Sequence, residues 1–245
     1  MDTSQNTGKK RTTLIVALVA CLVLAVGAGV FAWFSAQDTK TNTFVQGDGI
    51  TEPDKKPDPG KPEGGGESGK DPVDPTDHFI IETEWVDKSP IIPGGFVPKN
   101  PNIGINASSK PAYVFVDVDN GLGDGTYFVL GSKWKAVEAV SYTGPEFDAT
   151  LSENDKQRCY KSGLFVYVGD QTTAQILTPT GTPDTDIYTG EVFDYVYANK
   201  NFAELQGEKT IEVKSFMAAA SSDAENMEQK LPEITEKAKA WAKGN

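Results

Sequence analysis

The 245-residue chain carries 23 Lys and Arg against 35 Asp and Glu, a formal net charge of −12. That balance argues against nucleic acid and anionic lipid headgroups as partners, because both are held by clustered cations. It leaves open a soluble, acidic body that works through its backbone or its shape.

An uncharged run from Thr12 to Phe34 follows Lys9-Lys10-Arg11. Three cations hold the amino end on the cytoplasmic side, and about 20 apolar residues suffice to cross the hydrocarbon core as a helix. The chain is therefore expected to be exported, in the Gram-positive manner, to the cell surface or beyond. Val30-Phe31-Ala32 approximates the small-residue signature that a signal peptidase inspects, so cleavage is expected after Ala32, with Trp33 as the new amino terminus. The alternative is an uncut anchor, a single-pass membrane protein that touches the bilayer only through residues 12–34. Leu18-Val19-Ala20-Cys21 has the form of a lipoprotein box, but Leu22 to Val26 continues the apolar run. Cys21 reads instead as a small hydrophobe within the helix. Cleavage removes three cations and one anion, taking the charge to −14 and leaving Cys159 as the only cysteine. No internal disulfide is then possible. Arg158-Cys159-Tyr160 reads as strand with a buried thiol, and an interchain bond is its alternative.

Residues 33–51 form an amino-terminal strand segment, with Thr43, Phe44, Val45 and Ile50 as its candidate pairing residues. From 52 to 77 the composition breaks: prolines 53, 57, 59, 62, 72 and 75 alternate with glycines and charges, and Val73 is the single aliphatic residue. Such a segment buries nothing and is expected to be an extended, disordered tether reaching about 80 Å at roughly 3.1 Å per residue.

Residues 78–245 read as a β-rich domain. Expected strands run over Phe79–Trp85, Asn102–Ala107, Ala112–Val118, Thr126–Leu130, Trp134–Val140, Gly163–Val168, Ala174–Thr178 and Thr210–Ala218, punctuated by Asn120-Gly121, Gly131-Ser132 and Gly169-Asp170. Short strands at this spacing imply a mainly β fold, a jelly-roll-like antiparallel sandwich. The tail changes period. Ser222-Asp223-Ala224-Glu225 has capping-box form, and Met227, Leu231, Ile234, Ala238 and Trp241 recur at helical intervals, with Pro232 expected to split or kink the helix. The apolar stripe is expected to pack on the sandwich.

Several segments together resemble a family. Phe31 to Ser35 with Asp38-Thr39-Lys40-Thr41-Asn42-Thr43-Phe44 is similar to leaders cut by the dedicated signal peptidase SipW. Pro93-Gly94-Gly95-Phe96-Val97-Pro98-Lys99-Asn100-Pro101, Ile103 to Asn106 and Lys110-Pro111-Ala112-Tyr113-Val114-Phe115-Val116 resemble the "PG…KxPxVxN…AYV" core of the TasA and camelysin family. The resemblance fades through residues 141–208, and the long Pro/Gly tether departs from it. It implies a jelly-roll sandwich exported to the cell surface, a SipW-type peptidase as processing partner, and self-association or a matrix protein as assembly partner, since some members build biofilm fibres. A strand given by one chain to the open sheet edge of another is a physical route to such fibres, and Thr43 to Thr51 is the expected donor. Folding back onto its own domain is the competing outcome, favoured by the high local concentration that a tether gives.

Camelysins have also been described as metallopeptidases, but the zinc chemistry calls for two or three imidazoles and a carboxylate base, and His78 is the only histidine. A solvated surface role is expected for it. No G-x-S-x-G or Cys–His pattern is present, so the chain is read as non-catalytic and without cofactor. Asp117, Asp119, Asn120 and Asp124 gather oxygen ligands as a calcium loop does. The EF-hand register fails, however, with Leu122 and Phe128 where Gly and Glu belong, and a hairpin turn accounts for the composition. Leu177-Thr178-Pro179-Thr180-Gly181 has the wrong order for a sortase signal.

Overall fold

The computed structural model describes residues 34–46 and 78–244, except 87, 108, 145, 183–185, 204, 206 and 220–226. The leader up to Trp33, the 52–77 spacer, Ile50 and the 222–225 capping box fall outside them. Among the described residues no helix is long and apolar enough to cross a membrane, and Phe34, read as the end of the apolar run, begins a strand.

Among the described residues thirteen strands and two helices follow in chain order: β1 (Phe34–Gln46), β2 (His78–Glu82), β3 (Ser89–Ile91), β4 (Phe96–Pro98), β5 (Pro101–Ile105), β6 (Ala112–Asn120), β7 (Thr126–Val129), β8 (Trp134–Ser141), α1 (Glu153–Lys156), β9 (Cys159–Tyr167), β10 (Ile176–Leu177), β11 (Ile187–Glu191), β12 (Tyr195–Ala198), β13 (Lys209–Ala219) and α2 (Met227–Ala242). The large sheet runs β3-β1-β13-β6-β9-β7-β12-β4, with β10 beside β6 and β8 beside β9; β11-β5-β2 form a second, smaller sheet. The mainly β expectation is met. Pairing is antiparallel except between β1 and β3, which run parallel.

Alternation builds the core. Val114, Val116 and Val118 of β6, Ile211, Val213 and Met217 of β13, and Phe128, Phe165 and Val196 point inward to meet Ile80, Ile103 and Ile105 of the smaller sheet. The opposite side of β6 is also covered. Tyr113, Phe115, Leu164, Val166 and Phe216 form a second cluster under Met227, Ile234 and Ala238 of α2. Two buried faces explain why Ala112 to Val116 is an unbroken apolar run. A third cluster stacks Tyr127 on Tyr142 and on Tyr197, with ring centroids 4.3 and 5.2 Å apart, around buried Cys159.

Two expectations are corrected. Pro232 does not divide the tail: α2 continues across it. As the sixth residue of the helix Pro232 lacks the N–H that would reach the Glu228 carbonyl, a loss outweighed by Ile234, Ala238 and Trp241, which hold the helix on the sheet beyond it. Nor is the Asn120-Gly121 turn a hairpin. β6 pairs with residues 163–166 of β9 and β7 with residues 159–160, while β8 takes the other edge of β9. Strands β6 and β7 thus follow one another in the same direction, and residues 121–125 form a jog at which the neighbour changes from β13 to β12. Such a switch bends a sheet into a sandwich.

Candidate functional site: the seat of the amino-terminal strand

Strand β1 lies in a slot of the large sheet. Eleven of its residues, Phe34 to Phe44, pair antiparallel with β13, and Phe44 to Gln46 pair parallel with β3. Without β1, the whole of β13 would be an open edge, since its other side is taken by β6. The strand starts nine residues before the expected donor segment. Thr43, Phe44 and Val45 form its carboxyl end rather than its beginning, because the Asp38–Asn42 stretch, read as part of the leader signature, is itself strand.

Asn42 sits opposite Ile211, on the inward side of the slot. There it meets a buried ion pair. Lys99, in the turn between β4 and β5, is 0% exposed, Glu82 at the end of β2 is 3% and Asn42 is 1%. Lys99 Nζ donates to Glu82 Oε1 at 2.5 Å and to Asn42 Oδ1 at 2.5 Å. Asn42 Nδ2 donates to Glu82 Oε2 at 2.6 Å. The three side chains close a ring in which the carboxamide accepts from the cation and donates to the anion. The Trp85 ring lies 5.4 Å from the ammonium. Burial pulls the Lys99 ammonium down to about 8; Glu82 opposes that shift and Lys40 adds to it. Neighbouring Asn100 ties the same turn to the segment just after β2: its Oδ1 accepts from Glu84 N at 2.9 Å, and its Nδ2 donates to Thr83 Oγ1 at 2.8 Å. Sequence reasoning missed this ring. A signal was present, since Glu82 shares the parity of core residue Ile80.

The calcium candidates are dispersed. Asp117 and Asp119 face outward opposite Lys214 and Glu212, and burial pushes the Asp117 carboxyl up to about 6 against the pull of Lys214. Asn120 is used by the turn: its Oδ1 accepts from Leu122 N and its Nδ2 donates to Thr126 Oγ1. Asp124 pairs with Lys161. Among the described residues no three His, Cys, Asp or Glu side chains are placed to hold a metal ion. His78 is not a solvated surface residue as expected. It is half-buried, and its Nε2 is 2.8 Å from Oγ of fully buried Ser215. Cys159 is buried as expected, donates to Asp155 O, and has its thiol pushed up to about 12 by burial.

A cleft of about 430 Å³ is lined by Leu151, Arg158, Glu191, Asp194 and Tyr195 and adjoins the Lys99–Asn100 turn, since Lys99 N donates to Asp194 O at 2.9 Å and Asn100 Nδ2 to Glu191 Oε1 at 3.0 Å. Arg158 is spoken for by Asp155 at 2.7 Å and by the Leu130 carbonyl. Burial, then the hydrogen bond and charge of Glu191, push Asp194 up to about 6. A carboxyl raised above its ordinary range adds stability that is full near pH 4 and lost as the pH rises through about 6. Asp194→Asn is therefore expected to flatten the fall in urea midpoint between pH 4.5 and 7 and to raise the midpoint at pH 7. Parallel profiles for the two proteins would refute this.

The chain matches no family model, no curated protein and no solved structure.

Proposed function

We propose that this is a non-catalytic, exported structural protein of the cell surface or biofilm matrix, of the TasA and camelysin type, able to pass its first strand to a neighbouring copy. The observation that carries this reading is the seat of β1. A strand at the start of the chain completes an eleven-pair edge of β13 and is joined to the body through residues 47–77, which include the long Pro/Gly spacer. A slot filled by a tethered strand is equally well filled by the same strand of another chain, and repetition of that exchange makes a filament. The assignment as non-catalytic is favoured by the engagement of His78 with a buried serine and by the burial of Cys159.

Two measurements test the reading. Amino-terminal sequencing of the exported protein is expected to begin at Trp33, whereas Met1 would favour the uncut anchor. Deletion of residues 33–46 is expected to abolish concentration-dependent assembly in sedimentation and electron microscopy. Fibres that form equally well without the segment would remove the proposal.

A further inference from the structure

We infer that Asn42 is the recognition residue of this strand exchange, and that the Lys99–Glu82 pair makes the slot selective for an incoming strand with a carboxamide at that register. The inference rests on the exchange reading and specifies its partner: strand β1 of a second copy of this chain, with Asn42 at the ion pair. Backbone pairing alone does not fix register, because a strand slid by two residues makes equivalent ladder bonds with the same side chains inward. Such a slide replaces Asn42 at the ion pair by Lys40 or Phe44. Lys40 would set a second cation against Lys99, and Phe44 would leave the remaining carboxylate and ammonium sites unbonded. Both carry the penalty of an unsatisfied buried charge. The carboxamide accepts from the ammonium through Oδ1 and donates to the carboxylate through Nδ2, two separate atoms set to span both ions, where a hydroxyl of this size has one oxygen for both tasks. Comparable single polar residues at buried positions set register and partner in coiled coils.

Cross-linking between separate chains reads the exchange directly. Thr41 and Glu212 are directly opposed on the outward side of the slot. One full chain carries Thr41→Cys and the other Glu212→Cys, both with Cys21→Ala; buried Cys159 does not compete. The mixture is expected to form a 41–212 interchain disulfide. Asn42→Leu in the first chain is expected to lower its yield at least tenfold, and Lys99→Met with Glu82→Leu in the second to restore it. Asn42→Asp is the near-isosteric control. It still accepts from Lys99 but sets a like charge against Glu82, so a loss comparable to Leu is expected. Wild-type yield with Leu or Asp at position 42 would overturn the inference while leaving exchange intact. If separate chains do not cross-link but one chain with both cysteines does, exchange fails, and the Asn42 substitutions in that chain then decide whether the amide governs docking within one molecule. Absence of the 41–212 bond in every arrangement would overturn both.

Discussion

Lys99→Met is expected to lower the unfolding free energy by about 3–5 kcal/mol, because it leaves the Glu82 carboxylate buried without its cation. The geometry explains the size of the effect. Both members of the pair are almost wholly removed from water, and Asn42 supplies only one donor to the carboxylate. Joining Lys99→Met to Glu82→Leu is expected to recover part of the loss, since it removes the unpaired charge but leaves the buried Asn42 carboxamide without these two partners, and adding Asn42→Leu is expected to recover the rest. Chemical denaturation of the three variants at neutral pH checks this. A double variant as unstable as the single one would show that the turn depends on lysine for some reason other than charge pairing. A recovered triple variant would place the ring among features that select a structure rather than strengthen it.

Gly163→Val is expected to cost about 2–5 kcal/mol, combining a strained backbone with displacement of a neighbouring strand. Gly163 lies in the middle of β9 at φ 136°, a conformation that side chains resist. It pairs with Val118 of β6 on one edge and with Ala139 of β8 on the other. A Cβ there would come within 2.6 Å of Glu138 O and of the Ala139 Cβ. The β8–β9 register is irregular just beside it, between Ala136 and Glu138, so the glycine admits the close approach of a bulged strand. Thermal or urea unfolding reads the effect. A midpoint within experimental error of wild type would mean that β8 shifts freely and that the bulge is not constrained.

Much of the body was legible because its strands obey simple rules. Ala112–Val118 and Thr210–Ala218 show β-branched residues in partial or full alternation, and the structure places β6 and β13 there. Strands β3 and β4 were not legible. Each is three residues long and includes a proline, which argues against strand when read alone; tertiary pairing with β1 and β12 overrides that local preference. Strands β11 and β12 fell in the motif-poor stretch, and Tyr195 and Tyr197 gained meaning only when β7 brought Tyr127 beside Tyr197. The amino-terminal strand segment expected over 33–51 contains β1, but the expected donor within it begins nine residues late because Asp38–Asn42 also matches the leader signature. The Asn42–Glu82–Lys99 ring is the hardest case. Its members come from three separate segments; the parity of Glu82 with Ile80 marks one of them as inward, but nothing in the sequence pairs it with Lys99 or Asn42.

The β1–β13 ladder joins the first described segment of the chain to its last strand, more than 160 residues away. A ribosome delivers these partners in the least convenient order. Until β13 has emerged, the eleven-residue ribbon 34–44 lacks its ladder partner, and shorter nascent chains offer it only the brief β3 pairing at Phe44 and the Asn42 contacts with Glu82 and Lys99. Closing so long a loop is slow relative to pairings between near neighbours. The ribbon therefore waits while the rest of the body assembles, and that delay is when an already finished neighbour with a vacant slot can claim it first.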